Sequence, residues 1–166
     1  MLTKNPVKKI LLYVDGSEAC IAAAQYGIAF AKETGAELFA IYVVNMGILN
    51  DLVKARIFVQ IEEMDYQQDL EQDGKRYLGY IQEMAQKKDI EIKSELVKGV
   101  VNKEVINKIE EWDIDLLIMG ELETILSRTD AYHDESELIF RKTKCSVLIV
   151  KDPDRCEDLY NALEEN

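Results

Sequence analysis

Gly120 ends an apolar run, Leu116-Leu117-Ile118-Met119, where a nucleotide-binding chain would begin a phosphate loop of bare backbone amides. Residues 121–135 contain no glycine. Six acids (Glu121, Glu123, Asp130, Asp134, Glu135 and Glu137) stand against Arg128 alone between 121 and 137. A frame suited to an anionic ligand is thus followed by a loop that repels one. Asp15-Gly16-Ser17 closes an earlier apolar run, Ile10–Val14. Its carboxylate could hold a ribose hydroxyl or cap the helix that follows.

The other reactive types are sparse. His133-Asp134-Glu135 lacks the spacing that brings metal ligands onto one face, so a solvated loop is the plainer reading. Glu121 and Glu123 alternate and could share a divalent cation, although exposed acids usually hold none. Ser17 has no histidine near it in a nucleophile-elbow pattern, and His133 is the one histidine of the chain. No nucleophile–base pair is visible, and neither catalysis nor a metal is expected. Only Asp15 and Lys151 fit a phosphoacceptor receiver, which needs more acids; a flavodoxin needs a longer, less acidic first loop.

The elements that must carry these residues alternate. Val7–Val14 ends apolar without a break, as a strand covered on both faces does. Cys20, Ala23, Ala24, Gly27, Ile28 and Ala31 then make one small-residue helical face, stopped by Gly35. Leu38–Val44 is a second buried strand. Residues 50–88 are mostly helical, with Leu70, Gly74, Tyr77, Ile81 and Met84 on one stripe; the part before Gln60 reads as a separate short helix. Ile90–Val97 begins by alternating apolar and polar residues, the mark of an edge strand. Gly99 breaks it, or leaves room for a ligand. A helix with Val105, Ile109 and Trp112 inward leads to the strand before Gly120, and a helix at 135–142 leads to the last strand, Ser146–Val150. Alternation of this kind predicts an α/β fold with a parallel sheet and helices on both faces.

Bulk composition narrows the function classes. The chain has 166 residues, 48% hydrophobic and 31% charged, enough for one domain with a core of its own. Twenty basic against 32 acidic side chains give a net charge of −12, which argues against nucleic acid because phosphate backbones need Lys and Arg. No apolar stretch approaches membrane-spanning length. Cys20, Cys145 and Cys156 form no CxxC pair, and Cys20 and Cys145 read as buried thiols. A reduced, cytoplasmic setting is expected.

Taken together, four segments resemble the universal stress protein family: Ile10–Glu18, Thr34–Leu38, Asp115–Gly120 and Lys144–Val150, the last with Ser146 where proline is usual. The resemblance implies a universal stress protein-like domain over residues 1–151, with 152–166 as a tail that carries Leu159, Tyr160 and Leu163 at helical spacing. It implies a five-stranded parallel sheet of order 3-2-1-4-5, with any ligand at the switch between strands one and four. A bound nucleotide would lie against Asp15, Gly16, Val43, Gly99, Met119 and Gly120. In relatives that bind ATP, the phosphates rest on G-x2-G-x9-G-[ST]. Here Gly120 supplies the first glycine, Glu123 and His133 replace the next two, and Asp134 replaces the hydroxyl residue. A carboxylate about 4 Å from a phosphate costs on the order of 1 kcal/mol even in water, and the amide cradle is missing as well.

No ATP and no other cofactor is therefore expected. The alternative is an ATP or AMP sensor with a rearranged loop. The resemblance also implies a homodimer through Val147, Leu148, Ile149 and Val150 of the last strand, which would cover an apolar edge. An acidic loop that docks a basic protein partner is a further reading.

Overall fold

The computed structural model describes residues 5–56, 60–122 and 134–164. Five parallel strands, β1 (Lys9–Val14), β2 (Glu37–Asn45), β3 (Ile92–Gly99), β4 (Leu116–Met119) and β5 (Ser146–Ile149), lie in the order β3-β2-β1-β4-β5. The helices are α1 (Glu18–Thr34), α2 (Met46–Lys54), α3 (Gln60–Lys87), α4 (Val101–Glu111), α5 (Glu135–Lys142) and α6 (Pro153–Asn161). The expected α/β architecture, strand order and two-sided helix cover are all present.

Period-two alternation divides the sheet into two cores. Ile10, Leu12, Leu38, Ala40, Tyr42, Leu116 and Ile118 face α1, α3 and α6. Leu11, Tyr13, Phe39, Ile41, Val43, Leu117 and Met119 face α4 and α5. Because both faces are buried, each central strand reads as an unbroken apolar run. The small face of α1 is a packing requirement: a Cβ on Gly27 would come within 2.5 Å of Leu12 Cδ2. Ser17 caps the start of α1 by accepting from Cys20 N at 3.2 Å, and Gly35, at φ 71°, closes its end. The stripe on α3 also faces inward, with Gly74 admitting the Tyr42 ring. A separate helix does precede α3, but it begins at Met46, capped by Asn45.

Two expectations need correction. Cys145 is half-buried, because it sits at the start of the outer strand β5; Cys156, on α6, is the second fully buried thiol beside Cys20. Val150 lies one residue past β5, although its N–H still donates to Met119 O at 2.8 Å.

Residues 153–161 form a helix laid on α1. Cys156 and Tyr160 are its inward residues, whereas Leu159 points out. A clasp fixes its far end. The Tyr160 hydroxyl donates to Met84 O at 2.8 Å, and the Lys88 ammonium donates to Leu163 O at 3.0 Å and lies 4.8 Å from the Tyr160 ring. Lys88 is only 1% exposed, and its own carbonyl accepts from the Lys32 ammonium at 2.9 Å.

Candidate functional site

The crevice beyond the carboxyl ends of β1 and β4 is where a sheet of this order places a ligand. Asp15 and Gly120 flank it because β1 and β4 are paired neighbours. Asp15 Oδ1 accepts from both the amide and the hydroxyl of Ser17, at 2.9 and 2.5 Å. Ser17 in turn caps α1, so the Asp15 carboxylate braces the cap rather than forming it. Gly16 turns the chain at φ 81°. A Cβ there would stand 3.2 Å from Cε2 of the Tyr77 ring of α3.

Gly120 has a structural reason to be glycine. A Cβ there would lie 2.6 Å from both the carbonyl carbon and the oxygen of Ala19, in the first turn of α1. Close passage of α1 over the end of β4 therefore requires it, whether or not phosphate is present. At Gly99 the open side is taken by the Glu104 side chain, whose Oε1 would meet a Cβ at 2.6 Å, a neighbour that can swing aside as the Ala19 backbone cannot. Val43 and Met119 are buried in the α4–α5 core.

The far wall of the crevice is made by the first turns of α4 and α5. Val100 gives α4 no side-chain cap. Glu135, from α5, supplies one across the fold: its Oε2 accepts from Asn102 N at 2.7 Å and from Asn102 Nδ2 at 2.8 Å. The Lys142 ammonium reaches Asn102 Oδ1 at 3.5 Å. Asp134 caps α5 itself, accepting from Glu137 N at 3.1 Å. One amide at each of two helix N-termini, the natural anion sites of such a crevice, is thus engaged by one of the chain's own carboxylates. Glu137 is buried and accepts from Arg141 Nε at 2.6 Å. Glu121 lies 4.0 Å from the Lys151 ammonium.

Sequence reasoning missed Tyr13. It sits inside the β1 apolar run, and the run hides a hydroxyl. Tyr13 is 7% exposed and has Ser136 as its hydrogen-bonding neighbour. Burial pushes its hydroxyl far above the ordinary tyrosine range, and the charges of Asp15 and Glu135 add to the rise. Cys20, behind the same turn, is pushed up to about 11, by burial first and Asp15 second. Both groups stay protonated at neutral pH and are poor nucleophiles. Of the expected phosphate positions, Asp134 is the α5 cap, and Glu123 and His133 lie outside the described residues. Among the described residues, no group of three or more His, Cys, Asp and Glu side chains is placed to hold a metal. No helix among them is long and apolar enough to cross a membrane.

The fold is a doubly wound α/β sheet whose strand order reverses between β1 and β4, the point at which sheets of this kind place a ligand. The chain belongs to the universal stress protein family, whose sequence model matches residues 6–151. A curated universal stress protein of Methanocaldococcus jannaschii is 32% identical over 155 residues, covering 90% of this chain and 85% of that protein. Among solved structures, a family member from Burkholderia pseudomallei superposes with a TM-score of 0.69 at 20% identity, covering 90% of this chain and 99% of that one. The universal stress protein UspA of Lactobacillus plantarum also gives 0.69, at 18% identity, over 89% and 100% of the two chains. Two further structural neighbours are complexes, one with cAMP and one, from Archaeoglobus fulgidus, with dAMP. These structural likenesses establish the fold.

Proposed function

We propose that this universal stress protein is a non-catalytic regulatory protein that acts through protein contacts and does not hold ATP on the family's glycine motif. One observation carries the reading: the carboxylates of Asp134 and Glu135 engage amides at the first turns of α5 and α4, where a phosphate would need them. The glycine at 120 does not count against it, since the approach of Ala19 accounts for that residue. The loss of glycine at 123 and 133 and of the hydroxyl at 134 points the same way.

The protein works as a homodimer in the cytoplasm. β5 is an outer strand, and Val147, Leu148 and Ile149 on it are only half-buried, which favours pairing with a second copy through Val147–Val150. The net charge of −12 disfavours nucleic acid as a partner.

A thermal-shift titration with millimolar Mg-ATP tests the ligand half: no rise in melting temperature is expected, and a saturable rise would overturn it. Light scattering tests the dimer half, with Leu148→Lys expected to give a monomer. A monomeric wild-type mass, or an unchanged dimer in the variant, would refute it. The second reading is a nucleotide sensor that uses Asp15, Gly16, Val43, Gly99, Met119 and Gly120. It is favoured by the cAMP and dAMP complexes of its structural neighbours.

A further inference from the structure

The helix α6 begins at Pro153, beyond the 6–151 stretch that the family model matches, and it builds a surface with α1. One groove, of about 260 Å³, is apolar: Tyr26, Ala29, Phe30 and Leu159 line it, and Glu33 and Arg155 stand at its edge. The Tyr26 and Phe30 rings stack with centroids 6.3 Å apart, and Leu159 stays 37% exposed. A second groove, of about 270 Å³, lies toward the start of both helices and carries Glu18, Asp154 and Glu157. The apolar groove falls below the range of about 300–1,000 Å³ usual for small-molecule sites, and suits one bulky side chain better than a metabolite. The two grooves lie on opposite flanks of α6, with Pro153, Asp154 and Glu157 on one side and Arg155 and Leu159 on the other; from Ala22 to Ala29 is seven residues of α1, about 10 Å along its axis.

We propose that α1 and α6 form a docking surface for a basic amphipathic helix of a partner protein. One large apolar side chain of that helix seats among Tyr26, Phe30 and Leu159. The partner helix passes over α6, and its Lys or Arg residues meet Glu18, Asp154 and Glu157 on the other flank. Charge complementarity selects the partner: the exposed acids Asp152, Asp154, Glu157 and Asp158 on and before α6 outnumber Lys151 and Arg155 by four to two. An apolar anchor beside an acidic field matches helix-in-groove recognition with electrostatic steering. The inference rests on the reading of a protein that acts through contacts, and it names the chemistry of one such contact.

The probe is a fluorescein-labelled amphipathic peptide of about 14 residues, long enough to form a helix on binding, with Leu at helical spacing and Lys elsewhere. A counterpart carries Glu for Lys. Anisotropy titrations on the full chain are expected to show salt-sensitive binding of the Lys peptide only. Leu159→Glu should weaken it at least about tenfold, and Glu157→Lys should weaken it and flatten its salt dependence. Asp51→Lys, on α2 near β3, should stay within about twofold of wild type, since a remote exposed charge is largely screened. Equal losses for Asp51→Lys and Glu157→Lys would mean diffuse attraction and overturn the proposal. Binding unaffected by Leu159→Glu, or equal binding of the Glu peptide, would do the same. So would a fall in wild-type mass on Leu159→Glu, which would give the groove to a second copy of this chain. None of these results depends on the ATP titration or on Leu148→Lys, so the two readings fail separately.

Discussion

Glu135→Ala removes the carboxylate that caps α4 from another helix. Two donors lose their acceptor, the Asn102 amide at 2.7 Å and its Nδ2 at 2.8 Å, and Asn102 is only 5% exposed. Loss of a side-chain cap costs about 1 kcal/mol. A buried donor left unsatisfied costs about 1–3 kcal/mol, so a total of about 2–3 kcal/mol is expected, with water meeting part of the demand. For a chain of this size, about 2–4 °C per kcal/mol turns that into a fall in Tm of about 4–12 °C. Glu135→Gln keeps an acceptor oxygen but loses the favourable charge at the helix start, so it should cost only about 0.3–1 kcal/mol. Urea denaturation and calorimetry on both variants, with Asn102→Ala and the double mutant completing a cycle, would measure the pair directly. A coupling of about 1 kcal/mol or more is expected for residues in contact. Alanine at 135 within experimental error of wild type, or a coupling near zero, would refute the cross-fold cap.

Three further outcomes are expected. Gly120→Ala forces a Cβ against the Ala19 backbone and should destabilise the protein by about 1–3 kcal/mol in urea without any nucleotide; a neutral or stabilised variant would return Gly120 to a purely ligand-related role. The Cys20 thiol, at about 11 in the folded chain, ionises nearer 9.0 when unfolded. The folded state therefore keeps its proton longer: stability is intact below the unfolded value and falls as pH rises from it toward the folded one. The Cys20 share of the loss is on the order of 3 kcal/mol, and Cys20→Ala should make the fall shallower in urea titrations across that window, leaving the share of Tyr13, Tyr42 and Cys156, which burial raises in the same direction. Restoring the glycine pattern with Glu123→Gly, His133→Gly and Asp134→Ser should raise nucleotide affinity, and adding Glu135→Ala should raise it further. No gain in isothermal titration from either variant would place the obstacle elsewhere in the crevice.

The strands were legible because burial on both faces leaves short apolar runs, and β3 betrayed its edge position by alternating. Strand order came from the resemblance, since nothing local in Ile10–Val14 says which strands lie beside it. The site was less readable. Glu135 looks like one more acid in a solvated loop, and its partner, Asn102, is 33 residues away and itself unremarkable in sequence. Tyr13 is indistinguishable from core until Ser136 and Glu135 are brought to its hydroxyl. Gly120 was read as a phosphate residue because spacing cannot report the passage of Ala19 over it. Lys88 would pass for a surface lysine until Tyr160 and Leu163 are brought against it. In each case the deciding contact joins distant segments, and single-sequence periodicity carries no such information.

The clasp between Lys88, Tyr160 and Met84 also has a kinetic consequence. Its hydrogen bonds span 75 and 76 residues. Closing a loop of that length costs on the order of 4 kcal/mol of chain entropy, so the clasp gains little until the sheet has already drawn its ends together. Docking of α6 is therefore expected to come late, after the folding transition state. Interactions of that kind slow unfolding and leave the folding rate nearly untouched. The clasp acts as a brake on the way out of the native state, and any partner seated between α1 and α6 would press it harder.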